Sequence, residues 1–195
     1  MTRIALIRHG PTEWNEQHRL QGQTDVPLSV DGERKVDGWT LPAEFHDYDW
    51  VASPLTRAQQ TAAALGLTPR PEPSLIEMDW GDWEGFTRDE LIERYGDGFR
   101  ERTAQGIDLR PHNGESPREV RARFAEWAAG VALSGRDTGA VAHQGIIRAA
   151  LSLATGWIMM GKPPAKMDWS SVHLFAVDEN GVVTIERLNV SLELK

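Results

Sequence analysis

Three short apolar runs constrain this chain most, because each is typical of a buried strand that stops at polar or charged groups. The runs and the residues after them are Ile4–Ile7 before Arg8-His9-Gly10, Trp50–Ala52 before Ser53–Arg57, and Ala140–Ala142 before His143-Gln144-Gly145. In an open parallel sheet, ligands bind in the crevice beyond the carboxyl ends of the strands. The three runs therefore predict one crevice that holds two imidazoles, His9 and His143, and two guanidinium groups, Arg8 and Arg57.

Length and composition are typical of one globular domain, which we place at residues 1–195. The apolar fraction is 40% and the charged fraction is 26%, values common in globular proteins that bury a core. No apolar run approaches the roughly 20 residues that cross a bilayer. The first run is also too short for a signal peptide. We therefore expect a cytoplasmic protein that does not bind a membrane.

Charge and cysteine content exclude several kinds of site. The net charge is −8, which disfavours binding to a nucleic-acid backbone. The chain has no cysteine, so disulfides, cysteine-ligated metals and thiol nucleophiles are excluded. The histidines lack HExxH or similar ligand spacing, and neither GxxxxGK[ST] nor GxSxG occurs. We expect no metal and no cofactor, and histidine with arginine is the chemistry that remains.

Helix and strand signals alternate along the chain, which predicts an α/β layered domain. We predict strands at 4–7, 49–52, 75–77, 139–143, 172–177 and 182–188. We predict helices that begin after caps at Ser29, Ser53, Thr87 and Ser116, the first of which reaches Trp39, and an apolar helix over 145–155. Residues 96–113 are predicted to be irregular, with one helical turn near Phe99–Thr103.

The helix predicted after Ser53 bears on function. Ser53 suits the cap, Pro54 suits the first helical position, and Gly66 lies past the end. Arg57 would fall in the first turn, beside free backbone N–H groups that already favour anions. We therefore predict a phosphate site at this end of the helix.

An imidazole among arginines suits phosphoryl transfer. The three phosphoryl oxygens need positive partners while the bond to the leaving group breaks, and arginine supplies fixed, permanently charged forks. Nearby arginines also lower the pKa of a histidine, because they disfavour imidazolium. His9 would then stay neutral and nucleophilic. An Arg-His-Gly motif alone is weak evidence, since a lone histidine is more often structural.

Six ordered blocks resemble the histidine phosphatase superfamily, in its phosphoglycerate mutase-like branch. The blocks are Leu6–Asn15, Asp25–Leu28 with Gly32, Ser53–Ala58 with Thr61 and Ala62, Leu75–Glu77 with Gly81 and Trp83–Gly85, Gly114–Ser116, and His143–Arg148. They cover nearly the whole chain in the order that the family shows. The resemblance implies a three-layer α/β/α sandwich with a mostly parallel central sheet.

The resemblance also implies a role for each matching residue. His9 would attack phosphorus in line and become phosphorylated, while Arg8, Arg57 and His143 hold the phosphoryl oxygens. Glu77 would protonate the leaving oxygen and then activate the water that hydrolyses phosphohistidine. These five residues form the predicted catalytic set. The predicted substrate-binding set is Arg8, Asn15, Gln21, Gly22, Gln23, Arg57, Glu77, His143 and Gln144.

Other residues have both a functional and a structural interpretation. Trp80 and Trp83 suit the core and a pocket wall equally well. Glu13 and Glu84 are rival acids to Glu77, although we favour a structural role for both. No catalytic role is expected for the remaining histidines, His18, His46, His112 and His173.

Departures from the family pattern concern the substrate. Gln23 stands where an arginine is frequent, and Ala142 and Gln144 stand where Ser or Thr and Gly are usual. After Glu77 the chain continues Met-Asp-Trp-Gly, whereas Arg-His-Tyr-Gly is typical of mutases. A mutase must also shield phosphohistidine from water, and the segment 86–113 is modest for such a lid.

We therefore expect a metal-independent phosphomonoester hydrolase that acts on a small phosphorylated metabolite through phosphohistidine. The alternatives are a phosphoglycerate mutase, an α-ribazole-5′-phosphate phosphatase, and a non-catalytic phosphate-binding regulatory domain. The expected partner is the small-molecule phosphomonoester, with neither nucleic acid nor membrane, and a homodimer is left open.

Overall fold

The computed structural model describes residues 1–194, and a six-stranded sheet lies at its centre. The strands in chain order are β1 (Thr2–Arg8), β2 (Trp39–Thr40), β3 (Asp49–Ala52), β4 (Arg70–Pro71), β5 (Thr138–Ala142), β6 (Ser171–Val177), β7 (Val183–Ser191) and β8 (Glu193–Leu194). The order in the central sheet is β4-β3-β5-β1-β6-β7, and β2 pairs separately with β8. The first four strands of that order are parallel, whereas β6 and β7 are antiparallel. The predicted mostly parallel sheet is thus confirmed.

Helices cover both faces of this sheet. They are α1 (Glu13–Glu16), α2 (Val30–Asp37), α3 (Thr56–Ala64), α4 (Arg88–Tyr95), α5 (Asp97–Thr103), α6 (Pro117–Ser134) and α7 (Gln144–Thr155). The hydroxyl groups of Thr87 and Ser116 accept from the third backbone N–H of their helices, in capping boxes. Ser29 caps α2 in a similar way. These three predicted helix starts are confirmed, as is the helix predicted over 145–155.

Alternation along β1 divides the core into two layers. Ile4 and Leu6 pack with α6 and α7, against residues such as Phe124 and Ile146. Ala5 and Ile7 belong to the opposite cluster, which α2 and α3 cover. Successive strand residues point to opposite faces of a sheet, so the buried run predicted at 4–7 serves both layers. This is the three-layer α/β/α sandwich that the resemblance implies.

The register of three parallel strands places the functional residues at one edge. In the pairing of β1 with β5, Arg8 lies opposite Ala142. In the pairing of β3 with β5, Ala52 lies opposite Val141. The next residues in the chain, His9, Ser53 and His143, therefore emerge side by side at the carboxyl ends of adjacent strands.

Two element predictions were wrong near the site. The strand predicted at 75–77 does not form: Pro73–Leu75 is a 3₁₀ turn, and Glu77 follows it in irregular backbone. Pro73 begins this turn, and it lacks the N–H that would extend β4 toward Glu77. The helix predicted from Ser53 begins later, at Thr56, and its N-cap is Leu55.

Smaller differences lie elsewhere. The helix predicted to reach Trp39 ends at Asp37, because Gly38 terminates it and Trp39 pairs with β8. The turn predicted at 99–103 is part of the longer helix α5. None of the helices in residues 1–194 has the length and apolar character needed to span a bilayer.

Candidate active site

His9 lies at the carboxyl end of β1 with a defined tautomer. Its ring Nδ1 lies 2.7 Å from the carbonyl oxygen of Gly10. A carbonyl can only accept, so in the neutral ring Nδ1 carries the hydrogen and Nε2 keeps its lone pair. Burial lowers the pKa of His9 well below its ordinary value, and the charges of Arg8 and Arg57 lower it further. The ring is therefore neutral and can act as a nucleophile.

His143 lies next to His9, with their ring centroids 5.1 Å apart. Its Nε2 lies 2.7 Å from the hydroxyl oxygen of Ser53. Its Nδ1 is buried, and no residue within 1–194 hydrogen-bonds to it. Burial lowers the pKa of His143 well below its ordinary value, followed by the effects of His9 and the arginines. The two neutral imidazoles, predicted from opposite halves of the chain, face one site.

Ser53 is a residue whose role the sequence did not reveal. It was predicted as a helix cap, but its hydroxyl lies against His143, and its carbonyl accepts from Gln59. Ser53 is fully buried. It follows β3 just as His143 follows β5, so strand pairing brings the two side chains together. A serine three residues before a helix gives no sign of such a partner.

Arg57 is fully buried, and it lines the same cavity as His9. Its Nη1 donates to the carbonyl of Thr24 at 3.0 Å and its Nη2 to that of Gly22 at 2.7 Å. Its Nε is buried without a partner among the described residues. Burial lowers the pKa of Arg57, while the nearby Glu77 raises it. One guanidinium thus anchors a loop and keeps an N–H free.

Arg8, the last residue of β1, supplies the second cation. Its side chain is partly buried and lines the same cavity as His9. The guanidinium lies over the ring of Trp169, 5.5 Å from the centroid. None of the residues in 1–194 accepts a hydrogen bond from it, and its Nε is buried. These donors are available to an anion.

Asn15 presents an amide to the cavity in a fixed orientation. Its Oδ1 accepts from the backbone N–H of Thr12 at 3.1 Å and from the Thr12 hydroxyl at 3.2 Å. Since a backbone N–H can only donate, the oxygen is assigned and the Nδ2 amino group is free. Asn15 lines the cavity, so this amino group adds a donor.

Gln21 and Gly22 form another wall of the cavity, and Glu84 holds the loop 21–24 to which they belong. The carboxylate of Glu84 accepts from the backbone N–H groups of Gln23 and Thr24, at 2.8 and 2.9 Å. Gly22 has φ of 55°, and an added Cβ would lie 1.7 Å from Glu84 Oε1. Only glycine fits there. The structural role favoured for Glu84 agrees with these bonds.

Glu77 is a buried carboxyl group at the edge of the cavity. Its Oε1 accepts from the N–H of Met78 at 2.8 Å and of Gly145 at 3.2 Å. Burial raises the pKa of Glu77, and this effect exceeds the opposing ones of the two N–H groups, Arg57 and Arg8. A raised pKa favours the protonated acid, which is the form that can donate to a leaving group.

The cavity that these residues surround has a volume of about 280 Å³. Of the predicted set, the residues that line it are Arg8, His9, Asn15, Gln21, Gly22, Arg57, Glu77 and Gln144. His143 lies against His9 rather than in the wall. The size suits a small metabolite rather than a macromolecule.

Gln23 is not brought to this cavity wall. Its side-chain amide donates to the backbone carbonyl of Glu77 at 3.2 Å. Gln23 would therefore influence substrate binding indirectly, by fixing the position of Glu77. Of the two tryptophans that suited either the core or a pocket wall, Trp80 lines the cavity and Trp83 is buried in the core.

The rival residues lie elsewhere. Glu13 is exposed and does not line the cavity. His112 is exposed and its Nδ1 lies 2.8 Å from Asp82. Within residues 1–194, no three His, Asp or Glu side chains converge as metal ligands.

Gly145→Ala is expected to lower kcat by about 10- to 100-fold through a steric effect on Glu77, since acid–base groups contribute about 10²–10⁴-fold. A Cβ at this helical position would lie 2.2 Å from Glu77 Oε1. The carboxyl group would have to move, although the backbone would accept alanine. Steady-state kinetics with an alkyl phosphate measure the effect.

The matched control is Gly130→Ala in α6, where an added Cβ meets no atom within 4 Å. That variant should retain wild-type kinetics. If the Gly145 variant also retained them, the position of Glu77 would not matter to turnover.

Comparison with known proteins gives one family. The family model described as histidine phosphatase superfamily (branch 1) matches residues 4–191. An uncharacterized phosphatase, PhoE, of Bacillus subtilis is 39% identical over 105 residues, which are 50% of this chain and 53% of that protein. A 2,3-bisphosphoglycerate-dependent phosphoglycerate mutase of Methylobacterium radiotolerans is 32% identical over 167 residues, covering 78% of this chain and 79% of that one.

Two solved structures have a similar fold. A mycobacterial glucosyl-3-phosphoglycerate phosphatase in complex with VO3 matches with a TM-score of 0.78 and 27% identity, over 98% of this chain and all of that chain. The alpha-ribazole phosphatase of Shigella flexneri matches with a TM-score of 0.80 and 22% identity over the whole of both chains. The second likeness concerns the fold alone.

Proposed function

Since the chain belongs to branch 1 of the histidine phosphatase superfamily and is a phosphatase, we propose that it hydrolyses small phosphomonoesters through a phosphohistidine on His9. The observation that carries the proposal is the bare Nε2 of a neutral, buried histidine beside two guanidinium groups with free donors. No metal or cofactor takes part.

The first step forms a bond between His9 Nε2 and phosphorus as the ester P–O bond breaks. Arg8, the free N–H of Arg57 and the Asn15 amino group stabilise the phosphoryl oxygens, whose charge the arginine forks match. His143 adds a donor when Ser53 donates to its Nε2, because the ring hydrogen then lies on Nδ1. The charges are preorganised before the substrate arrives.

Glu77 gives its proton to the leaving oxygen, so the alcohol departs as a neutral molecule. The resulting carboxylate then takes a proton from water, which attacks the phosphohistidine and releases inorganic phosphate. His9 regains its lone pair and Glu77 its proton. The N–H groups of Met78 and Gly145 stabilise the carboxylate between the two steps.

Hydrolysis is favoured over phosphoglycerate mutase activity by the segment after Glu77. Trp80 lines the cavity there, in the Met-Asp-Trp-Gly sequence that differs from the mutase pattern. A mutase would have to shield phosphohistidine from water until the bound substrate had reoriented. The α-ribazole-5′-phosphate phosphatase reaction remains an alternative within the same chemistry.

Turnover of p-nitrophenyl phosphate in excess chelator tests the proposal. We expect release of p-nitrophenolate at the rate seen without chelator, and hydrolysis within a panel of sugar, glycolytic and nucleoside phosphates. Interconversion of 2- and 3-phosphoglycerate faster than phosphate release would favour the mutase instead. Binding of phosphate without any turnover would favour the regulatory domain.

A further inference from the structure

One cation of the cavity takes no part in the chemistry proposed above. Arg148 lies in α7, one turn after Gln144, and both side chains line the cavity. Residues four apart lie on the same face of a helix. The side chain of Arg148 is exposed in part, and the portion of it that is shielded from water lowers its pKa, while the nearby Glu77 raises it.

Like Arg8, Arg148 has no hydrogen-bond acceptor or ion-pair partner among the described side chains, whereas two other arginines near the cavity are paired. Arg19 also lines the cavity, but it donates to the carbonyl of Gly85 at 2.6 Å and to Glu90 at 3.0 Å. Arg123 bonds Glu115 at 2.8 Å. The guanidinium of Arg148 is thus free for a ligand.

The surroundings of Arg148 limit what that ligand can be. Six apolar residues line the same cavity, namely Leu20, Met78, Trp80, Pro117, Val120 and Met159. Between such walls an ionic contact is screened less than at an open surface. The amide of Gln144 makes no hydrogen bond within residues 1–194 and adds a second polar group beside the guanidinium.

We propose that Arg148, with Gln144, forms a second anion subsite that binds a carboxylate on the leaving group of the substrate. This inference rests on the proposed function. A planar guanidinium binds a carboxylate through two parallel N–H···O bonds, and the cavity of about 280 Å³ leaves limited room beyond the phosphoryl group. The preferred substrates are phosphorylated hydroxy acids.

Paired substrates test the subsite. In each pair, a phosphorylated hydroxy acid of two to five carbons is compared with the analogue whose carboxylate is replaced by hydroxymethyl. For at least one chain length we expect kcat/KM to favour the acid by about 10- to 100-fold, as charged hydrogen bonds of this kind supply. Arg148→Met should remove most of that preference, and Arg148→Lys should restore part of it.

The control is Arg136→Met, at the opposite end of β5, which makes the same charge change and should keep the preference. An active enzyme without any preference for acids overturns the inference, as does equal loss on both members of a pair in Arg148→Met. An enzyme inactive on every ester, p-nitrophenyl phosphate included, instead overturns the proposed function.

Discussion

His9→Ala is expected to lower kcat/KM for p-nitrophenyl phosphate by at least about 10³-fold, because the covalent route needs a nucleophilic nitrogen. Alanine leaves Arg8 and Arg57 in place, so the variant should still bind inorganic phosphate. Activity and phosphate affinity together separate loss of the nucleophile from loss of the site. Phosphate binding can be followed by calorimetry on the same preparation.

The matched control is His112→Ala. His112 is exposed, pairs with Asp82 and lies outside the active-site cavity, so its variant should keep wild-type kinetics. If His9→Ala retained activity within tenfold of wild type, a phosphohistidine at His9 could not be the intermediate.

Glu77→Gln is expected to slow hydrolysis according to the leaving group. For an alkyl phosphate we expect a loss of about 10²–10⁴-fold, the usual contribution of a general acid. For p-nitrophenyl phosphate the first step should change less, because nitrophenolate leaves without a proton. The second step loses its base, so a burst of nitrophenolate and an acid-labile phosphoenzyme should appear.

The pH profile gives an independent measure of the same residue. Glu77 acts as the protonated acid, so kcat/KM should fall as pH rises through its raised pKa. His9 acts as the neutral ring, so activity should fall only as pH drops through its lowered pKa. With an alkyl phosphate, whose leaving oxygen needs the proton, Glu77→Gln should lose the alkaline fall and keep the acidic one.

Glu13→Gln is the control, because Glu13 is an exposed carboxyl group outside the cavity. Its variant should match wild type in rate, burst and pH profile. Equal losses on the alkyl and nitrophenyl esters, with no burst, would show that Glu77 does not act as the proton donor.

Local signals predicted the parts of the fold that depend on neighbours in sequence. The hydrogen bonds of the capping boxes at Thr87 and Ser116 join residues three positions apart, so the local sequence predicts them. The apolar run before Arg8 likewise predicts its strand from a few consecutive residues. Parallel strand ends then followed from the alternation of strands and helices, and this was enough to predict that His9 and His143 would meet. The family resemblance added Glu77, which no local pattern marked as an acid.

Contacts between distant segments decided what the sequence could not predict. Serine is a residue type that favours helix N-caps, yet the pairing of β3 with β5 places the Ser53 hydroxyl against His143. Gln23 does not line the cavity, and its side-chain amide donates to the backbone carbonyl of Glu77. Each outcome depends on a polar partner more than 50 positions away, and no periodicity or spacing encodes such a partner.

The register between β1 and β5 has a consequence for how such an enzyme can diversify. The spacing of the two histidines is set by backbone pairing at the centre of the sheet, so point mutations in the surrounding walls leave it unaltered. Those walls come from the loop 21–24, the turn around Trp80 and the first turns of α7. Substitutions in these segments can therefore change the substrate specificity, while the arrangement of the two histidines, and with it the reaction, is retained.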